Sequence, residues 1–418
     1  MLKIFKFPQL RRKLLFTLLI IIAFRLFAHI PVPGVDTAAI RAYLSSNVFF
    51  GLFDLFSGGG FQNFSIVTLG LAPYINASII VQLLTMMVPA LEELQKEGEY
   101  GREKINMYTK LLGLPLALVQ SYGIYFLLSK QGIITPLGFF DLVVLMLSLI
   151  AGSFLLVWVG ELASEYGVGN GISLLIFVSI ISRLPQGLLN VIAGIGSVGL
   201  GSILVFGLLA LVVIVGVVLV NEGTRNVNLE YGRRGTRSQK VTNFLPIKIN
   251  QAGVIPIIFA VSLVSLPSLI GGPLSASEKP GLARVGSLLA QGFNTNSFGY
   301  NMLYFLLVVS FTFFYTSIQF DPEKIAEDIK KRGGFIPGVR PGKTTSDYLK
   351  KIVDRITLSG ALFLGLIAIL PYLLQSVIKV QGLSIGGTGL LIVVSVVLET
   401  VRQIDALMVT RSYDKYLM

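Results

Sequence analysis

The chain contains no cysteine, one histidine and one tryptophan. Without cysteine there is no disulfide, no thiolate metal site and no cysteine nucleophile. Charge is scarce too, with 13% of the 418 residues charged against 53% hydrophobic. A mean hydropathy of +0.77 excludes a soluble domain of this size and reads as an all-α polytopic membrane protein. HExxH, Walker and Gly-x-Ser-x-Gly patterns are all missing. His29 closes the first apolar run beside Pro31 and reads as a packing or interfacial residue. Carboxylates are missing from the middle of every span: Glu161 and Glu165 fall where the fourth span ends, Glu399 and Asp405 in the last turns of the tenth. A secondary transporter with inverted repeats would set ionisable groups near the midplane, each costing about 2.5–3.5 kcal/mol. An intramembrane enzyme would need metal ligands, a Ser/His pair or an aspartate pair in the spans. Neither requirement is met, so no catalytic residue, metal or cofactor is expected. On the residues alone, transporter and channel both stay open.

What the chain does have is apolar runs of about 20 residues, the membrane-crossing length. The basic N-terminus MLKIFKFPQLRRK leads into a run from Leu14 to about Ile30, which continues into IPVPGV without a small-residue cleavage site. It therefore reads as a retained first span rather than a signal peptide. Arg25 interrupts this run, and snorkelling or pairing within the bundle explains it better than substrate binding. Further spans are expected over 71–91, 107–129, 137–160, 171–184, 201–220, 252–270, 298–320, 353–374 and 387–410, making ten, with both termini on one side.

The stretch from Phe49 to Leu91 is the one the others surround. A short apolar segment runs to Phe56, Gly58, Gly59 and Gly60 break it, and a full span starts near Leu71. A half-helix folding back beside a whole one is expected. Irregular backbone at membrane depth survives only when buried in protein or lining a watery cavity.

Charge distribution sets orientation. Of the 34 Lys and Arg residues, only Arg41, Lys130, Arg183, Lys279, Arg284 and Lys379 fall in loops opposite the N-terminus, and Arg25 lies within a span. The positive-inside rule then puts both termini in the cytosol and accounts for most of the +12 net charge. Two cytosolic loops exceed that need. In the loop 221–250, alternation around GRRG suggests a hairpin with Arg233, Arg234, Arg237 and Lys240 near its tip. In the loop 321–352, DPEKIAEDIKKR reads as a helix opened by Pro322 and stopped by Gly333 and Gly334, after which two Pro-Gly pairs hold Arg340 on a turn. Each is either a solvated charge run or a docking surface.

Leu71 and Ile75 share a helix face by their spacing, as do Ile172 and Ile176. Spacing alone reads as ordinary packing. The segments IPVPGV, FSGGG, LGLAPYINASIIVQLLT, EGEYGREKINMYT, GVGNGISLLIF, LPIKINQAGVIPIIFA, FIPGVRPGKTT and GGTGLLIVV occur in this order. Together they resemble the SecY protein-translocation channel family of the bacterial type, over nearly the whole chain.

That resemblance implies ten transmembrane helices in two pseudo-symmetric inverted halves, 1–190 and 191–418, closing like a clamshell on an hourglass pore. The hinge would lie near 185–200, in the stretch GIGSVGLGS. It implies a pore ring of Leu71, Ile75, Ile172, Ile176, Ile258 and Ile392, the family more often having isoleucine where Leu71 stands. It implies a re-entrant plug helix over about 49–66, with Phe53, Leu55, Phe56, Ser57, Gly58, Gly59, Gly60 and Phe61. The lateral gate, lined by the second, third, seventh and eighth spans, would have Gln82, Gln120 and Asn250 at its polar positions. Arg340 and the four basic residues of the first loop would dock the ribosome, through rRNA phosphates, or the SecA motor ATPase. Unfolded polypeptides would cross the pore, and signal sequences and apolar segments would leave sideways into membrane lipid. SecE and SecG would be partner subunits, and the site of action the bacterial plasma membrane. The chain departs from its relatives in a short C-terminus after RSYDKY and a short loop over 379–386.

Overall fold

The computed structural model describes residues 8–33, 35, 40, 57–130, 132–182, 185, 200–231, 243–275, 279–293, 297–378 and 387–417. Helices stand at all ten expected span positions: α1 Pro8–Phe27, α2 Ala72–Met87, α4 Glu99–Lys130, α5 Phe139–Tyr166, α6 Gly171–Ile181, α7 Leu200–Glu222, α8 Ile255–Ser275, α10 Phe298–Gln319, α12 Lys343–Ile378 and α13 Gly387–Leu417. Three shorter helices join them: α3 Pro89–Lys96, α9 Pro280–Gly292 and α11 Pro322–Lys331. The plug residues Phe53, Leu55 and Phe56, the hinge GIGSVGLGS up to Gly199, the loop 379–386, and Arg233, Arg234, Arg237 and Lys240 lie outside the described residues.

The second span is shorter than its apolar run. Helix α2 stops at Met87, Val88 is extended at φ −109° and ψ 109°, and α3 departs at 102°. Pro89 is the cause, since its ring disfavours the helical region for the residue before it. Among the described residues, α6 is also short, at 11 residues, or about 16 Å. Asn170 sets its start: its Oδ1 accepts the amides of Ile172 at 3.0 Å and Ser173 at 3.2 Å. That supplies two of the donors a helix N-terminus leaves orphaned.

Burial divides the bundle. On α1, Leu10, Thr17, Ile20 and Phe24 are buried, while Leu15, Leu18, Leu19, Ile22 and Leu26 stay exposed. Both stripes are apolar apart from Thr17, as expected where lipid replaces water on the outer face. One large cluster collects buried side chains from α1, α2, α5, α6, α7, α8, α10, α12 and α13. A second, around Val32, Phe61, Phe64, Leu69, Leu128 and Leu149, lies where the end of α1 meets α4, α5 and the chain leading into α2.

The two basic loops share a third core. Strands β1 Thr224–Tyr231 and β2 Asn243–Lys248 form the expected hairpin, in register from Thr224↔Lys248 to Leu229↔Asn243. The two-residue strand β3 Gly334–Phe335, from the other loop, pairs with the far end of β1. Val227, Leu229 and Ile247 of the sheet then bury against Ile329 of α11, Ile336, and Leu349, Ile352 and Val353 of α12. The loops read as separate in the sequence are one small folded unit.

Candidate pore and gate

Six aliphatic side chains converge in the large cluster. Leu71 closes the connector before α2, and its carbonyl accepts the Ile75 amide at 2.9 Å, so the two stack one turn apart. Ile172 and Ile176 lie one turn apart on α6, Ile258 on the first turn of α8 and Ile392 on the first two turns of α13. Leu71 is 1% exposed and Ile258, the most open of the buried five, 7%. Ile172 is half-buried and packs on the same cluster. Four separate helices thus contribute to one apolar knot.

A cavity of ≈250 Å³ opens on the face carrying the basic loops, and Ile176, Ile258 and Ile392 line its apolar side. Its polar side holds Asn221, Lys248, Asn250, Gln319, Glu399 and Arg402. Asn250 Nδ2 donates to Asn221 Oδ1 at 2.7 Å, and Asn250 Oδ1 accepts the Gly253 amide at 3.0 Å. Asn221 Nδ2 in turn donates to Ser395 Oγ at 2.7 Å. Arg402 closes the set, donating to the Asn221 carbonyl at 2.8 Å and pairing with Glu222 at 2.8 Å. The network fixes α7, α8 and α13 around the cavity mouth. Neither Asn221 nor Arg402 was singled out from sequence; an Asn and an Arg at predicted span ends were the available signals.

The described end of the expected plug is a chain of turns from Gly58 to Leu71, with only Ser57 helical. Gly58 has φ +64° and Gly59 φ +93°, conformations that favour glycine. A Cβ on Gly58 would lie 2.7 Å from Phe24 Cζ of α1 and 3.0 Å from Ser179 Oγ of α6. The turn is therefore wedged beside the helix that carries Ile172 and Ile176. Phe61 and Phe64 are 1% and 0% exposed and belong to the second cluster. The connector onward to α2 is clasped by α5: Ser153 Oγ donates to the Gly70 carbonyl at 2.8 Å, and a Cβ on Gly152 would meet the Ile66 carbonyl at 1.9 Å.

Helix α8 packs against both α2 and α4, the pairing expected of a lateral seam. Of the three amides expected there, Gln82 is half-buried on α2 and interacts electrostatically with Tyr315 of α10. Gln120 is half-buried on α4. Asn250 is 6% exposed, but its bonds run to Asn221 and Gly253 and not to α2 or α4. A polar cluster unread in the sequence braces the helices on the other side: Tyr74 Oη donates to Asn106 Oδ1 at 3.1 Å, Asn106 Nδ2 to Glu161 Oε1 at 3.0 Å, and Lys110 pairs with Glu161 at 2.6 Å.

Arg340 is exposed between two turns whose glycines, Gly338 and Gly342, have φ +80° and +103°. Thr345 Oγ1 donates to the Arg340 carbonyl at 2.8 Å and fastens the turn to α12. Its guanidinium is thereby presented on the loop unit that the third core holds together.

A family model described as SecY matches residues 65–401. The chain belongs to the SecY family. All six residues of the apolar knot fall inside the matched span, as do Gln82, Gln120, Asn250 and Arg340, whereas the turn at Gly58 precedes it. The SecY-family relatives include proteins named protein translocase subunit SecY from Corynebacterium glutamicum, 40% identical with 98% of each chain covered. One from Thermus thermophilus is 42% identical, covering 98% of this chain and 95% of the relative. Among solved structures, one described as the structure of a protein conducting channel matches with a TM-score of 0.63 at 20% identity, over 94% of this chain and 91% of that one. Another, described as Sec61 in the canine ribosome-channel complex from the endoplasmic reticulum, matches with a TM-score of 0.60 at 19% identity over the same shares. At these identities the likeness is one of fold.

Proposed function

We propose that this chain is the pore-forming subunit of a protein translocase, which conducts unfolded polypeptides across a membrane and releases apolar segments sideways into lipid. The observation that carries the reading is the apolar knot of Leu71, Ile75, Ile172, Ile176, Ile258 and Ile392, gathered from four helices at the apolar side of a polar-mouthed cavity. A polypeptide presents every kind of side chain in turn, so its conduit must hold none of them strongly. Aliphatic groups give contact without hydrogen bonds or charge, and a narrow apolar constriction excludes ions by dewetting. The cavity would be the cytosolic funnel, and the turn at Gly58 the root of the plug on the far side.

The same reading makes 1–190 and 191–418 the two halves of the clamshell, with α2 and α4 meeting α8 and α10 along the gate. Gln82, interacting with Tyr315, would be one polar tie across that seam. Such interhelical bonds in lipid average about 0.6 kcal/mol, weak enough for an arriving apolar segment to replace. The folded unit of β1, β2, β3 and α11 would be the platform for the ribosome or the SecA motor, with Arg340 as its leading contact. SecE and SecG would complete the complex in the bacterial plasma membrane, both termini of this chain facing the cytosol.

The test is reconstitution of the full chain with its partner subunits in sealed vesicles, supplied with the motor, ATP and a secretory precursor. Protease-protected precursor should accumulate inside. Accumulation no greater than in vesicles lacking the chain would overturn the reading.

A further inference from the structure

Arg25 is charged in a helix where every other side chain from Leu14 to Phe27 except Thr17 is apolar. Such a cation persists in a span when something specific receives it. Here Arg25 Nη1 donates to the carbonyl of Gly58 at 2.8 Å. The acceptor is the left-handed glycine at φ +64°, which sits against Phe24 on one side and Ser179 of α6 on the other. Phe24 belongs to the cluster that holds the six aliphatic residues. One helix of the knot and the turn beside it are therefore linked to α1 through adjacent residues, by contact at Phe24 and by a charge-assisted bond at Arg25.

The residues that follow are fixed in another way. Gly60's carbonyl accepts the Ser65 amide at 2.8 Å and the Thr68 hydroxyl at 3.1 Å. Phe64's carbonyl accepts the Val32 amide at 2.9 Å, and Ile66's amide donates to Ile30 at 3.0 Å. From Gly60 onward the chain is bound by backbone bonds and by the buried rings of Phe61 and Phe64. The turn is itself closed by local bonds, the Ser57 carbonyl accepting the Gly60 amide at 3.1 Å and Ser57 Oγ the Phe61 amide at 3.0 Å. The bond to Gly58's own carbonyl, by contrast, comes from a long side chain with an exchangeable donor. Gly59, at φ +93°, has its carbonyl bonded to the Asn63 amide at 3.2 Å, so the turn from Ser57 to Asn63 is held together locally and tied to α1 at Gly58.

We propose that Arg25 is a latch: a positioning residue whose guanidinium holds the Gly58 turn against α6 while the pore is shut and lets it go when the pore opens. This rests on the reading of the chain as a protein-conducting channel. A bond from a flexible side chain to one carbonyl is suited to the task, because the freed guanidinium can be hydrated in an opened pore. Its loss shifts the balance toward the displaced turn without dismantling the packing around Phe61 and Phe64.

The full chain with its partner subunits, reconstituted in planar bilayers, tests this through resting ion conductance. Three variants are compared with the unaltered chain: Arg25→Met, Arg25→Lys and, as a check on the channel reading, Ile176→Asn. Methionine keeps length and suits lipid but has no donor, and a thermal unfolding midpoint measured alongside reports whether it folds as well. Arg25→Met should raise resting conductance about tenfold, the equilibrium worth of one hydrogen bond to a charged group. Arg25→Lys, which keeps a charged donor but loses the fork, should fall in between. Unaltered conductance in Arg25→Met, with Ile176→Asn leaking, overturns the latch and leaves the channel reading standing. A leak in Arg25→Met that Arg25→Lys does not reduce overturns it as well. If neither Ile176→Asn nor Arg25→Met conducts and the unaltered chain fails to translocate, the channel reading falls and the latch with it.

Discussion

Asn250 donates its side-chain amide to Asn221 across 2.7 Å, and so joins the approach to α8 to the end of α7. Through Asn221 the link extends to Ser395 and Arg402 of α13. Asn250 thus ties the start of α8 to α7 and makes its hydrogen bonds to Asn221 and Gly253 and not to α2 or α4; in the proposed gate it would act from behind one wall. Replacing it with leucine removes the donor to Asn221 and the acceptor for Gly253, and a buried polar atom left unpaired costs about 1–3 kcal/mol. Asn250→Leu should lower the thermal midpoint of the complex and change translocation of precursors with weak signals more than of those with strong ones. Equal response across both signal classes would remove Asn250 from the gate. The coupling to Asn221, from single and paired alanine variants, should fall within about 0.5–3 kcal/mol, as for groups in one network.

The apolar knot makes its own prediction. Ile258→Asn sets a carboxamide in a site that is 7% exposed, among aliphatic neighbours that offer it no partner. Water entering to satisfy it should wet the constriction, and resting conductance should rise several-fold, on the order of the cost of one buried unpaired amide. Leu71→Ile conserves volume and should leave conductance unchanged, with a stability effect under about 1.5 kcal/mol. Single-channel recording in planar bilayers separates the two.

Most of the ten helix positions were legible because their apolar runs are about long enough to cross a bilayer, a property that sequence displays directly. Helix α6, with 11 residues, is shorter than a crossing and stood out by its apolar composition alone. Leu71 and Ile75 could be put on one face from their spacing, but spacing does not say whether a face meets lipid or other helices. The resemblance supplied that, and burial at 1% and 5% agrees with an interior position. Arg25 was conspicuous as a lone cation, whereas its partner, a backbone carbonyl with no side chain to advertise it, was not. The pairing of β3 with β1 could not be read, since two residues carry no periodicity. The Tyr74, Asn106, Lys110 and Glu161 cluster depends on the rotation of three helices about their axes, which only packing fixes. Pro89 did announce the bend at Val88, and the apolar run through it concealed the signal.

Arg340 stands exposed on a turn fastened by Thr345, so its side chain contributes little to the fold. Arg340→Glu should change unfolding stability by no more than about 0.5 kcal/mol, as for surface substitutions away from special features. Its charge reversal should nevertheless cut motor-driven translocation sharply and weaken ribosome binding, with the remaining binding less sensitive to salt because one cationic contact is gone. Full translocation rate in vesicles carrying Arg340→Glu would separate this residue from docking.

The position of Ile172 and Ile176 depends on a contact that has no side chain. A Cβ on Gly171 would lie 1.9 Å from the Gly160 carbonyl and 2.6 Å from the Ala163 Cβ, so α6 approaches α5 as closely as backbones allow, in the manner of small residues between membrane helices. Gly171→Ala must push α6 away from α5 at the very turn where Asn170 caps it and Ile172 projects. Overpacking of this kind costs about 1–3 kcal/mol. The thermal midpoint should drop, and because both isoleucines ride on the displaced helix, the resting leak should rise with it. Gly207→Ala on α7 is the matched control: nothing lies within 4 Å of its added Cβ, and alanine suits a helix interior better by about 0.5–1 kcal/mol. Its midpoint should hold or rise and its conductance stay at the resting level. A leak of equal size in both variants would mean that backbone closeness between α5 and α6 does not set the constriction.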